Sequence, residues 1–160
     1  MNSSDIDAHF MQRALAIALV AQEDGEPPFG ALVIDERQVI VAEASDEVAQ
    51  GRDFSLHAEV SAVRRACQRL GPHLRGSTLY TTVEPCPMCF TAAWLAHVPR
   101  IVYGASMQAV FEVTAGKQRE LRLPAAVLNE LTPEPLILSG GILAEACLQP
   151  FARPLPELAP

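Results

Sequence analysis

Long apolar runs are missing from this chain. The run at 14–21 covers only eight positions, whereas a helix that crosses a bilayer needs about 20. The opening MNSSDIDAHF shows no basic-then-apolar pattern, so no secretory leader is expected there. Cysteine is scarce: four in 160 residues, at 67, 86, 89 and 147, without the spacing of a small secreted disulfide framework. Reduced thiols and a cytoplasmic location are the expectation. Basic charge is short as well, with 12 Lys and Arg against 19 Asp and Glu and a net charge of −7. A nucleic-acid surface needs phosphate-neutralising cations gathered in a patch. Arg64-Arg65 and the pair Arg119/Arg122 lie close together in sequence. This balance points away from nucleic acid and membranes and towards a small-molecule substrate.

What is present suits a soluble globular protein, with 49% hydrophobic and 19% charged residues. The length favours one domain over 1–152, followed by a Pro-rich, extended tail over 153–160. Phe10, Met11, Ala14, Leu15, Ala18 and Leu19 recur at helical spacing after Ser3, Ser4 and Asp5, which offer caps. This helix ends near Gln22, before Asp24-Gly25-Glu26-Pro27-Pro28. Positions 29–34 and 38–42 read as an antiparallel hairpin, and 45–56 as an irregular loop. A helix over 56–70 presents Val60, Val63, Cys67 and Leu70 on one face and stops at Gly71-Pro72. A β-branched strand at 78–83 leads to a helix from Cys86 to about His97, then a strand at 100–104. Residues 105–133 are weakly patterned, with room for a short helix on either side of Gly116. A strand at 135–138 and a helix at 141–151 finish the chain. Strands alternating with helices predict an α/β fold, a three-layer α/β/α domain around a five-stranded mixed sheet.

The chemistry-bearing stretches are His57-Ala58-Glu59 and Pro85-Cys86-Pro87-Met88-Cys89. Cys86 and Cys89 are three apart at a helix start, so their sulfurs point the same way, and the helix dipole favours thiolate. His57 opens the preceding helix and supplies a third ligand. Three protein ligands leave one tetrahedral position of a Zn2+ ion for water, whose pKa falls towards ~7. Glu59 need not bind the metal and is placed to carry protons. A lone CxxC also fits a redox pair or half of a four-cysteine site. Cys67 and Cys147 would have to complete the latter, yet both fall on apolar helical faces suited to packing. The joint HxE…PCxxC pattern is the zinc deaminase signature.

With these motifs the chain resembles the cytidine deaminase superfamily, in the branch of cytosine, guanine and tRNA-adenosine deaminases. Besides the two motifs, the resemblance rests on Pro28-Phe29-Gly30-Ala31, on Thr78-Leu79-Tyr80-Thr81-Thr82-Val83-Glu84, on Val102-Tyr103-Gly104-Ala105 and on Gly141-Ile142-Leu143. It implies a cytidine-deaminase-like fold, one Zn2+ per subunit held by His57, Cys86 and Cys89, and Glu59 as catalytic proton carrier. It also implies that the Ala58 N–H helps bind the substrate ring, and that the protein is a homodimer built through helices next to the site, including 90–94. The implied activity is hydrolytic deamination of a free nucleobase, nucleoside or related amino-heterocycle, guanine-like first, which would place the protein in purine metabolism. A tRNA-specific adenosine deaminase shares every motif quoted. A zinc-binding scaffold module is the non-enzymatic alternative and requires a closed coordination sphere.

Specificity falls to less regular positions. Purine-handling relatives usually carry Asn in the loop before HxE, where this chain has Asp46. An amide donates and accepts, whereas a carboxylate only accepts. Asp46 therefore selects a ring edge rich in N–H groups or a cationic ring, or else it only shapes its turn and another residue reads the base. Phe29 can stack on a flat ring or simply pack in the core. Glu112 falls near acidic, base-holding positions of guanine-deaminating relatives, and as a solvated loop acid it would have no such role.

Overall fold

The computed structural model describes residues 2–155. Helix α1 (Ser3–Glu23) is capped one residue earlier than expected, by Asn2, whose side chain accepts from the Asp5 N–H while Asp5 returns a bond to the Asn2 N–H. Strands β1 (Gly30–Ile34) and β2 (Ile40–Ser45) form the expected antiparallel hairpin, with a bulge at Val33/Ile34. The next loop contains a one-turn helix, α2 (Val48–Gly51), where an irregular segment is expected. Then come α3 (Ala58–Leu70), β3 (Thr78–Val83), α4 (Pro87–Leu95) and β4 (Arg100–Ala105). The weakly patterned segment does hold two short helices, α5 (Met107–Val113) and α6 (Ala125–Glu130). Strand β5 (Ile137–Ser139) is followed by α7 (Ala144–Leu148), shorter than expected because Gly141 to Leu143 form a turn with positive φ at both ends. A 3-10 turn at Gln149–Ala152 follows. The last five residues of the expected tail, 156–160, lie outside the described residues.

The sheet is five-stranded and mixed, in the order β2-β1-β3-β4-β5. β3, β4 and β5 run parallel, while β1 is antiparallel to both β2 and β3. Alternation along the strands divides the core in two. Ala31, Val33, Leu79 and Ile101 face α3, α4 and α6. Leu32, Ile34, Tyr80 and Val102 face α1 and α7. With both faces covered, every residue of β1 is buried.

Helix α3 buries a different face from the one its large apolar residues suggest, whereas α1 buries Phe10, Met11, Ala14 and Ala18 of its expected stripe. In α3 the buried residues are Ala58, Glu59, Ser61, Ala62, Val63 and Ala66, while Leu70 is 51% exposed. Alanines let this helix lie close on β2 and β1, so small residues take the core side. Helix α1 likewise approaches β1 closely: a Cβ on Gly30 would stand 2.2 Å from the Ala14 carbonyl oxygen. Its Leu19 is 41% exposed, whereas Asp7 is buried. The Asp7 carboxylate accepts two bonds from the Arg100 guanidinium, 2.8 and 2.6 Å, and one from the Tyr80 hydroxyl, 2.8 Å. This network ties α1 to β3 and β4.

Candidate active site

The candidate site lies outside the carboxyl ends of the parallel strands, where open α/β sheets generally bind ligands. β2 and β3 end there, β1 begins there, and α3 and α4 start there. His57 is the N-cap of α3 and Cys86 the N-cap of α4, with Pro87 filling the first helical position. His57, Cys86 and Cys89 thus converge from two helix starts into the one metal-ligating group of His, Cys, Asp and Glu found among the described residues. The His57 Nδ1 lies 3.7 Å from Cys86 Sγ and 3.5 Å from Cys89 Sγ, and the two sulfurs are 3.5 Å apart. A zinc with bonds of ~2.3 Å to sulfur and ~2.0 Å to nitrogen, at tetrahedral angles, sets S···S near ~3.8 Å and S···N near ~3.5 Å. The donors fit one zinc ion. Cys67 and Cys147 do not complete the set. Cys147 is buried on α7 against Gly104, on the other face of the sheet, and Cys67 packs half-buried beside the α3 core.

The hydrogen bond with Cys89, and after it the one with His57, draws the Cys86 thiol down to about 4 against the opposing effect of burial. Its bond with Cys86 lifts His57 to about 9. The hydrogen bond to Cys86 and burial push Cys89 up. A divalent cation therefore displaces protons from this cluster when it binds.

Glu59, 4% exposed, projects from the first turn of α3. One carboxylate oxygen lies 3.1 Å from the Thr81 hydroxyl and the other 3.4 Å from Cys89 Sγ. Burial, and then the Cys86 charge, raise its pKa, so it holds a proton more readily than a solvated glutamate. Ala58, with no exposed surface, opens α3 beside it.

The cavity over these groups has a volume of about 30 Å³. Phe29 and Asp46 line it with His57, Glu59 and Cys86. The Phe29 ring also meets Phe151 edge-on at 5.2 Å, so it belongs to both core and cavity. The Asp46 carboxylate is buried and accepts the Val48 N–H at 3.1 Å through Oδ1, which is the turn-shaping contact. No described residue donates to its other oxygen. Burial raises Asp46 to about 6.

Glu112 stands apart from these residues. It is exposed on α5, accepts from the Gln108 side chain at 2.7 Å and does not line the cavity. The acid that the segment 105–133 does bring to the cavity is Glu120, together with Gln118 and Arg119. One Glu120 oxygen is buried without a partner, and burial, followed by the charges of Cys86 and Glu84, raises this group to about 7. No spacing or motif marked Glu120, because the turn that places it has no periodic pattern. Glu84, in the signature stretch, is 8% exposed and bonds to protein: Oε1 accepts the Ala125 N–H at 2.8 Å and Oε2 the Met107 N–H at 3.1 Å. Both helices of the weakly patterned segment are thereby tied to the end of β3. In α4, Phe90 is buried, and Trp94 is half-buried and donates to the Glu134 carbonyl.

Comparison with known proteins agrees with this geometry. Residues 4–105 match the cytidine and deoxycytidylate deaminase zinc-binding region. A tRNA-specific adenosine deaminase of Agrobacterium fabrum is 42% identical over 99 residues, 61% of this chain and 64% of that protein. A guanine deaminase of Bacillus subtilis is 39% identical over 98 residues, 60% of this chain and 62% of that one. Both alignments span less than two thirds of the relative's length. The solved guanine deaminase from Nitrosomonas europaea superposes with a TM-score of 0.78 at 26% identity, over 88% of this chain and 80% of that one. The family match takes in well over half of the chain, including both zinc motifs, and this protein belongs to the cytidine deaminase superfamily.

Proposed function

We propose that this protein is a zinc-dependent hydrolytic deaminase of a free nucleobase, nucleoside or related amino-heterocycle, with a guanine-like ring favoured. One observation carries the reading: the buried Glu59 carboxyl lines a small cavity with His57 and Cys86 and lies 3.4 Å from Cys89, and these three donors are spaced for one zinc. Bound by His57, Cys86 and Cys89, zinc would supply a Lewis acid that brings the pKa of water down towards ~7. Water adds to the ring carbon that carries the amine, and Glu59 takes a proton from it. Glu59 passes that proton to the neighbouring ring nitrogen and then carries the remaining hydroxyl proton to the amine nitrogen. The C–N bond breaks, ammonia leaves, and a ring carbonyl remains. The Thr81 hydroxyl holds one Glu59 oxygen through these transfers.

The ring preference is supported by the acids that line the cavity. Asp46 and Glu120 offer oxygens that accept hydrogen bonds. Guanine presents a ring N–H beside its amine, an edge made of donors, which such a wall suits. A cavity of about 30 Å³ holds a water or two.

A second reading, deamination of adenosine in tRNA, is favoured by the exposed Lys117, Arg119 and Arg122 around that same segment. Arg122 lies over the Phe111 ring at 4.3 Å. One experiment separates the readings. Ammonia release is measured from guanine, adenosine, cytosine, pterin, melamine and a tRNA anticodon stem-loop, with metal analysis of the same sample. Release from a free heterocycle, largely insensitive to salt, supports the first reading. Release from the RNA alone, falling steeply with salt, supports the second. A zinc-loaded protein that releases ammonia from none of them refutes both.

A further inference from the structure

Ahead of β1, Glu26 is a charged side chain only 7% exposed, and nothing so far gives it a task. Its two oxygens accept the N–H groups of Ala49, 3.1 Å, and Gln50, 2.7 Å, more than 20 residues further along the chain. These are consecutive amides at the start of α2, where a helix has no internal acceptors. The amide just before them, Val48 N–H, is bound by Asp46 Oδ1. Two carboxylates thus divide three successive amides of one turn. The Asp46 backbone is held separately, its N–H donating to the Phe29 carbonyl at the end of the hairpin. What remains to be set is the direction of the Asp46 side chain, and the Val48 N–H sets it.

We infer that Glu26 is a positioning residue for substrate selection: it anchors α2, α2 presents the Val48 N–H, and that N–H holds Asp46 with its second oxygen towards the cavity. The inference rests on the reading of Asp46 as a substrate-facing group in the proposed deaminase. Glu26 itself does not line the cavity. A carboxylate is needed because both of its contacts are donors, and a glutamine amide accepts through one oxygen only.

The test begins without activity. Amide exchange is followed at Val48, Ala49 and Gln50 in wild type, Glu26→Gln and Asp46→Asn. Glu26→Gln is expected to speed exchange about tenfold at Val48, an amide it does not touch, as well as at 49 and 50. If only 49 and 50 speed up, Asp46 is not held through Glu26 and the inference is overturned. On the heterocycles above, Glu26→Gln is expected to raise KM about tenfold with kcat changed less than about twofold and zinc content unchanged. In the Asp46→Asn background the same substitution is expected to change KM less than about twofold, because neighbours acting through one contact are not additive. An equal effect in both backgrounds reduces Glu26 to a structural role and refutes the inference. A wild type that releases no ammonia refutes the proposed function instead, and the exchange data still decide on Glu26. Should Glu26→Gln not fold, Glu26→Asp, which keeps the charge but shortens the reach, is expected to give the same exchange pattern.

Discussion

Replacing Glu84 by Gln should damage the protein although the two side chains have nearly the same shape. Both Glu84 oxygens accept backbone N–H groups, Ala125 at 2.8 Å and Met107 at 3.1 Å, and these residues open α6 and α5. A glutamine amide satisfies one and turns an NH2 donor towards the other. A bond to a charged group contributes ~1.5–3 kcal/mol, and a buried donor left without a partner costs ~1–3 kcal/mol. Each helix is short and can shift to admit water, so the sum is taken near its lower end, ~3 kcal/mol. For a chain of this size, ~1 kcal/mol moves Tm by ~2–4 °C, which puts the expected drop at about 6–12 °C. Thermal unfolding followed by circular dichroism measures it, and amide exchange localises it to Met107 and Ala125. Because residues 118–120 hang between α5 and α6, KM for the heterocycle should rise as well, with zinc still bound. A Tm within about 1 °C of wild type, with both amides still protected, would refute the role assigned to Glu84.

Other substitutions separate the parts of the site. Glu59→Gln should retain one zinc per chain and lose turnover, while Cys86→Ser loses both; metal analysis and ammonia release read the two. Asp46→Asn should change which amino-heterocycles are deaminated without abolishing release, and an unchanged substrate profile would remove Asp46 from recognition. Away from the site, Asp7→Asn should cost about 3 kcal/mol, because it strips the charge that pairs with a partly buried Arg100. Burial alone would raise the Asp7 carboxyl, but the bonds from Arg100 and Tyr80 and the Arg100 charge outweigh it, so its folded pKa lies below 3.8. Its contribution is therefore complete above pH 3.8 and fades as pH falls through the lower folded value. Urea titrations of wild type and Asp7→Asn should converge in that acid range; a constant gap would show that the carboxylate charge is not responsible.

How much of this was legible beforehand depended on how local each feature was. The motif of His57, Glu59, Cys86 and Cys89 carries its geometry within a few residues: two thiols three apart, and one ligand and one acid at a helix start. The sheet followed from β-branched runs broken by helices and a short hairpin. The face of α3 was misjudged because periodicity is read from large side chains, whereas close packing on a sheet selects Ala58, Ala62 and Ala66.

The chain by itself determined the candidate zinc-ligating set, the acid beside it and the α/β alternation that brings two helix starts to one end of a sheet. Tertiary structure alone decided which acids line the cavity. Glu112 and Glu120 are eight positions apart in the same weakly patterned segment, yet one faces solvent and the other the cavity. The stretch that carries both is held at its two ends by long-range bonds, the Glu84 carboxylate accepting the Met107 and Ala125 N–H groups, as Glu26 holds α2 on the other wall. Such bonds join residues more than 20 positions apart through backbone amides that every residue possesses, so side-chain identity leaves no trace of them. The candidate metal site is written in residue types, whereas the walls of the cavity beside it are hung from two buried glutamates through backbone amides.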